Sequence, residues 1–130
     1  MINNNRIKNL DSIPSPYVTG ILDQFFEDLL IPIVEHSRGC PFACDFCNAG
    51  ADYFNNVNKF SNEYVKEELT YIAEQSKKYG GKFLHIADNN FAMLPRDIET
   101  CGIINDLRKK YGWPLSIGVN TGKNSKERII

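Results

Sequence analysis

The sequence lacks an excess of charge of either sign, and it lacks a long apolar run. Its 130 residues carry 15 lysines and arginines against 16 aspartates and glutamates, which gives a formal net charge of −1. A near-neutral chain offers no electrostatic reason to expect nucleic acid or an anionic membrane as a partner. The longest apolar stretch, residues 29–34, is far shorter than the ~20 residues of a membrane-spanning helix. We therefore expect no nucleic acid and no membrane among the partners.

The sequence also lacks an export signal, because its first residues are polar and run into Asp11 without an apolar stretch. This absence predicts a cytoplasmic protein, where thiols stay reduced. Of the four cysteines, three lie within eight residues, at Cys40, Cys44 and Cys47. Such crowding favours metal binding or chemistry over a pair of disulfides. Cys101 lies apart within a predicted helix, where we expect it to be a small buried apolar residue.

Apolar periodicity predicts three strands that alternate with two long helices. The strands fall at residues 31–35, 83–87 and 115–119. The first helix begins after Ser61 or Asn62 and ends at Gly80. The second helix runs from Pro95 to Gly112, and its apolar side carries Ile98, Ile103, Leu107 and Tyr111. Residues 1–30 are expected to be irregular and linker-like, apart from a short helix over 21–30 with Phe25, Phe26, Leu29 and Leu30 on its apolar side. The alternation of strands and helices predicts an α/β fold with a parallel sheet.

Three polar segments follow the three predicted strands. They are the cysteine loop, the run Asp88-Asn89-Asn90, and the cluster of Asn120, Thr121 and Lys123. In open α/β sheets and in β/α barrels, the functional loops follow the carboxyl ends of the strands. The strand pattern and the polar clusters therefore point to one end of the sheet. Turn formation explains the asparagine-rich runs as well, and we interpret His85 as a packed strand residue.

The cysteine spacing is C-x3-C-x2-C, with Phe46 just before the third cysteine. Three thiolates can hold three irons of a four-iron, four-sulfur cluster and leave the fourth iron open to a substrate or cofactor. A structural zinc site is an alternative, but it needs four ligands, and only His36 is near enough in the sequence to complete the set. A disulfide or free thiols are further alternatives.

These residues resemble the signature of the radical S-adenosylmethionine (SAM) superfamily. Cys40, Cys44, Phe46 and Cys47 match its C-x3-C-x2-C pattern, which usually has an aromatic residue before the last cysteine. The wider sequence, at residues 15–17, 22–26 and 37–42, is similar to the segment that joins a cobalamin-binding domain to the radical domain in cobalamin-dependent members. The resemblance extends from about residue 11 to the end of the chain.

The resemblance implies a four-iron cluster held by the three cysteines and SAM chelated at the open iron. Reductive cleavage of SAM would yield a 5′-deoxyadenosyl radical, with an electron donor such as a flavodoxin or ferredoxin and a small-molecule or unknown substrate. Cobalamin would be held by a domain absent from this chain. Family members often hold the methionine amine with a Gly-Gly-Glu motif, and this sequence departs from it. The implied cofactor contacts are Phe46, Asp88, Asn89 and Asn90, and Asn120 is a further candidate because it follows the third predicted strand.

A complete β/α barrel has about 250 residues, so we expect a partial parallel barrel fragment. Residues 31–130 would form the N-terminal part of the radical SAM barrel domain, truncated after its third strand. That strand would leave an unpaired sheet edge. We expect such a fragment to be inactive or weakly active alone. The alternative function is a non-catalytic iron–sulfur or zinc-binding module that works with another chain.

Overall fold

A computed structural model describes residues 6–28 and 30–121 of the chain. Residues 1–5, 29 and 122–130, which include Leu29 and Lys123 of the predictions above, lie outside the described part. In chain order the helices and strands are α1 (Asp23–Phe26), β1 (Ile33–Val34), β2 (Ser37–Arg38), β3 (Asn58–Lys59), α2 (Asn62–Tyr79), β4 (Phe83–Ile86), α3 (Asp97–Tyr111) and β5 (Ser116–Val119).

The main sheet is parallel and has the strand order β1-β4-β5. Ile33 pairs with His85, and His85 pairs in turn with Gly118. The predicted α/β fold is confirmed: the described residues form an open three-stranded sheet with helices and no closed barrel. Because all three strands run in one direction, their carboxyl ends lie together at one end of the sheet, which we call its carboxyl edge.

Helix α2 begins and ends where its capping residues predict. The Ser61 hydroxyl accepts a hydrogen bond from the Tyr64 amide, and Gly80 takes the left-handed conformation that closes the helix. The inward face of α2 carries fully buried Val65, Leu69 and other apolar residues that pack in the core.

Helix α3 corrects two predictions. Its inward stripe is Thr100, Ile104 and Leu107, which recur at helical spacing. Ile98 lies on the opposite side and is 76% exposed, so its place in the apolar face was wrong. Cys101 follows Thr100 by one position, a rotation of roughly 100°, and it is exposed rather than buried.

The N-terminal segment is irregular, as predicted, but it packs into the core. Leu10, Tyr17 and Phe26 are all buried there. Helix α1 is a single turn in place of the helix expected over residues 21–30. Phe25 is 45% exposed while its neighbour Phe26 is buried, because adjacent positions of a helical turn face different directions.

Tyr17 also caps the outer side of β1, which is an edge strand of the main sheet. Its hydroxyl donates to the carbonyl of Ile33 and accepts from the amide of the same residue, both at 2.9 Å. These are the groups of β1 that face away from β4. Burial raises the pKa of Tyr17, and the hydrogen bond that the Ile33 amide donates to the phenol oxygen partly offsets that rise.

A second, antiparallel sheet was not predicted. It pairs β2 with β3, so that Ser37 lies opposite Lys59 and Arg38 opposite Asn58. Each strand has only two residues, which is too short for alternation to be visible in the sequence. Within the described residues, no helix is long and apolar enough to cross a membrane.

Candidate functional site

The three clustered cysteines lie in a closed loop at the carboxyl end of β1. The loop comprises residues 39–57, and the β2–β3 pair joins its two ends. The Cys40 amide donates to the Phe54 carbonyl at 2.8 Å, which ties the outgoing chain to the returning chain. The loop is therefore anchored at its neck, the place where residues 38–40 meet residues 54–58.

Two glycines allow this loop to close. Gly39 has φ +124°, and a Cβ atom there would lie 2.4 Å from the carbonyl oxygen of Asn56. A Cβ atom on Gly50 would lie 2.4 Å from the carbonyl oxygen of Cys44. Both distances are too short for any side chain, so glycine is required by close backbone contact at the two ends of the motif.

The cysteines differ in exposure. Cys40 is buried, Cys44 is half-buried and Cys47 is exposed, and all three are free thiols. The Cys47 amide donates to the Cys44 carbonyl at 3.0 Å, which makes a tight turn between the last two cysteines. Phe46, inside this turn, is 87% exposed. Its predicted contact with an adenine ring stays a prediction.

The polar residues after β4 meet the cysteine loop. The Asn90 side-chain amide donates to the Sγ atom of Cys40 at 3.1 Å. The Phe91 amide donates to the backbone carbonyl of Asn120 at 2.9 Å, so the segment after β5 lies beside the segment after β4. The structure thus brings all three predicted polar segments to one edge of the sheet, while Asn120 and Thr121 are both exposed there.

Asp88 is buried, with 2% of its surface exposed. One carboxylate oxygen accepts from the His36 amide at 2.7 Å, and the other accepts from the Ser37 hydroxyl at 2.6 Å. Asp88 therefore joins the end of β4 to the segment that leads from β1 into the cysteine loop. Its proposed contact with a cofactor amine stays a prediction.

A buried polar cluster beneath the loop was missed from the sequence. Glu68 accepts from the Ser15 hydroxyl at 2.6 Å and lies 3.4 Å from Nε2 of His36. Arg96 donates to the carbonyls of His36 and Phe60, at 3.1 and 3.3 Å. One signal was available: Glu68 falls on the inward stripe of α2, where an unpaired carboxylate would be costly.

Beside the loop lies a cleft of about 400 Å³. Glu35 and Asn89, which follow β1 and β4, form one side, and Arg6 and Tyr53 lie on its wall. The N-terminal segment therefore contributes directly to the surroundings of the cysteine motif.

The chemistry of the donor set, three cysteine thiols, is the kind that iron–sulfur clusters take. Among the described residues, no three Cys, His, Asp or Glu side chains lie close enough to hold one metal ion. Zinc requires its ligands around one ion, and His36 is buried against Glu68. A four-iron cluster binds each cysteine to a different iron, so its thiolates need not converge on one point.

We expect Gly50→Ala to lower the free energy of unfolding by about 1–2 kcal/mol, because the added methyl group overlaps the Cys44 backbone. Gly102→Ala is the matched control, since a Cβ atom there meets nothing within 4 Å on helix α3. Alanine in that exposed helix should stabilise the fold by about 0.5–1 kcal/mol. Urea denaturation measures both, and equal effects at the two glycines would contradict the close contact at Gly50.

Comparison with known proteins identifies the family. The model of the Radical SAM superfamily matches residues 34–130. The cobalamin-dependent radical SAM methyltransferase TokK of Streptomyces tokunonensis is 31% identical over 96% of this chain and 19% of its own length. The 2-(S-pantetheinyl)-carbapenam-3-carboxylate methyltransferase of Streptantibioticus cattleyicolor is 35% identical over 90% of this chain and 18% of its own length.

An uncharacterized methyltransferase of Pyrococcus horikoshii is 32% identical over 88% of this chain. The chain spans between 18% and 25% of the length of these three relatives. The family match covers the cysteine loop, both long helices, β4, β5 and the last residue of β1. On these grounds, and in agreement with the resemblance of its cysteine motif, the chain belongs to the radical SAM superfamily of enzymes.

Proposed function

We propose that this chain carries the cluster-binding part of a cobalamin-dependent radical SAM methyltransferase. The observation that supports it most strongly is the cysteine loop, which is closed at its neck and joined to the end of β4 by the bond from Asn90 to Cys40. A structural zinc staple would not need that position at the carboxyl edge of a parallel sheet.

In this proposal Cys40, Cys44 and Cys47 bind three irons of a four-iron, four-sulfur cluster. When bound, the cluster supplies the electron that cleaves a carbon–sulfur bond of SAM and yields a 5′-deoxyadenosyl radical. Asn90 donates a hydrogen bond to the Cys40 sulfur, and hydrogen bonds to the ligating sulfurs help to set the reduction potential of an iron–sulfur cluster. The buried Cys40 keeps one side of the site away from water.

Asp88 and the asparagines around it are the proposed contacts for SAM. Each carboxylate oxygen of Asp88 accepts one hydrogen bond from the protein and has a further lone pair for the methionine ammonium. Asn89 and Asn120 are exposed at the same edge, where their amides can bind polar groups of the cofactor. Phe46 is exposed on the loop and can cover the adenine ring.

The remaining parts of the reaction belong to other protein segments or partners. We propose a reduced flavodoxin or ferredoxin as the electron donor, cobalamin on a domain outside this chain, and a small-molecule substrate. Residues 31–130 would then be the first part of the radical SAM barrel domain, joined by residues 1–30 to what precedes it. The free thiols suit the reducing cytoplasm, which we propose as the location.

A non-catalytic iron–sulfur or zinc-binding module is the second candidate. It is favoured by the exposure of Cys47 and Phe46, which leaves the outer side of the loop open for another chain. The two candidates differ in whether SAM contacts the cluster.

Anaerobic reconstitution with iron and sulfide distinguishes them. We expect about four irons and four sulfides per chain, a visible spectrum that changes on addition of SAM, and less than one 5′-deoxyadenosine per chain after reduction. Zinc without sulfide would overturn the cluster. A complete cluster whose spectrum does not respond to SAM would favour the binding module, and sustained turnover would show that the chain is active alone.

A further inference from the structure

Arg6 holds the neck of the cysteine loop together. Its guanidinium donates to the carbonyl of Arg38 at 2.8 Å, on the chain that enters the loop. It also donates to the carbonyls of Asn56 at 2.6 Å and Tyr53 at 3.1 Å, on the chain that returns. One side chain from outside the loop therefore joins both of its ends.

The same guanidinium lies over the ring of Tyr53, 5.5 Å from the centroid, which adds a cation–π contact. The planar fork of arginine suits several carbonyl acceptors at once, and its charge strengthens each bond. The neck has little other freedom, because Gly39 lies directly against the Asn56 and Phe54 carbonyls. Arg6 thus fixes the backbone next to the first cysteine.

Two further bonds attach the N-terminal segment to the domain, one on β3 at the neck and one beyond it. The Asn58 side-chain amide donates to the Ile7 carbonyl at 2.9 Å, and the Ser61 amide donates to Asp11 at 2.8 Å. The segment is therefore attached to the domain at several places, and Arg6 provides the attachment that touches the loop. This separation allows the role of Arg6 to be tested apart from that of the segment.

We propose that Arg6 is a positioning residue for the iron–sulfur cluster. It fixes the neck of the cysteine loop, so that the three thiolates stay placed for the cluster after binding. The inference rests on the proposed cluster at Cys40, Cys44 and Cys47. Under this proposal, retention of the cluster depends on the segment that precedes β1. A change in the conformation of that segment would alter the cysteine loop through Arg6.

The experiment compares cluster loss with protein stability in four variants. Arg6→Ala, Arg6→Lys, Lys8→Ala and Asp11→Ala are reconstituted anaerobically, and the bleaching rate of the cluster is followed in excess iron chelator. Urea denaturation of each apoprotein measures the stability of the fold. Lys8 is the exposed cation two residues away, and Asp11→Ala loosens the segment at Ser61 without touching the loop.

We expect Arg6→Ala to lose its cluster at least roughly tenfold faster than the wild type, because it removes three charge-assisted bonds and the loss of a single one would predict about that factor. Arg6→Lys should recover part of this retention, because the charge stays but the planar fork is lost. Lys8→Ala should match the wild type. Asp11→Ala should lower apoprotein stability without accelerating cluster loss.

Each of three outcomes would contradict one part of this proposal. If the wild type takes up no iron and sulfide, the proposed cluster fails, and the role of Arg6 fails with it. If the wild type is loaded and Arg6→Ala bleaches at the same rate, the cluster stands and the positioning role is wrong. If Asp11→Ala accelerates bleaching as much as Arg6→Ala, the effect belongs to general attachment of the segment.

Discussion

Cys44→Ala is expected to abolish cluster binding, so that iron and sulfide after anaerobic reconstitution fall to background. Each cysteine of the motif ligates a different iron in the proposed site, and the two remaining thiolates would leave half of the cluster without a protein ligand. Cys44 is the middle member and lies against Gly50 at the base of the turn. Iron and sulfide analysis with a visible spectrum measures the loss.

Cys101→Ala is the matched control, because Cys101 is an exposed thiol on helix α3, outside the loop. It should take up as much iron and sulfide as the wild type. Full uptake by Cys44→Ala would show that the cysteine motif is not the cluster site. Loss in both variants would show instead that uptake depends on total thiol content.

Asp88→Ala is expected to lower the free energy of unfolding by about 3 kcal/mol. The substitution removes a buried carboxylate and leaves the His36 amide and the Ser37 hydroxyl without their acceptor. Hydrogen bonds to a charged group contribute about 1.5–3 kcal/mol each, and a buried donor left unpaired adds a desolvation cost. The midpoint of urea denaturation of the apoprotein reports the change.

The exposed Asp28 supplies the comparison for this measurement. Asp28→Ala should leave the free energy of unfolding within about 0.5 kcal/mol of the wild type. A change in Asp88→Ala no larger than that would mean that the bonds to β2 do not stabilise the fold. Asp88→Asn should be intermediate, since its amide keeps one acceptor oxygen and loses the charge.

The parallel sheet and the two long helices could be predicted because their signals are local. Ser61 and Gly80 mark the ends of α2 through capping chemistry, and both act as predicted. The convergence of the three polar segments also followed from the sequence, since it depends only on the common direction of the strands. The bond from Asn90 to Cys40 is the contact that joins two of those segments.

The contacts around the loop could not be predicted because they join residues far apart in the chain. Arg6 donates to the carbonyls of residues 38, 53 and 56. Every residue has a backbone carbonyl, so the sequence does not indicate which carbonyls accept these bonds. The β2–β3 pair could not be predicted either, because two residues in each strand are too few to show an alternating pattern. The exposure of Ile98 and Phe25 was misjudged because apolar identity alone does not give a residue's direction on a short or imperfectly amphipathic helix.

The two edges of the main sheet are unequal. Tyr17 occupies the outward amide and carbonyl of β1, whereas β5 forms the other edge and leaves Ile117 and Val119 about 40% exposed, at 42% and 40%. Among the residues that the structure describes, β5 is therefore the edge of this sheet that is open to pairing between copies of the isolated chain. We expect such pairing to favour a two-fold symmetric pair over a fibre, because it leaves the Tyr17-capped strands outermost.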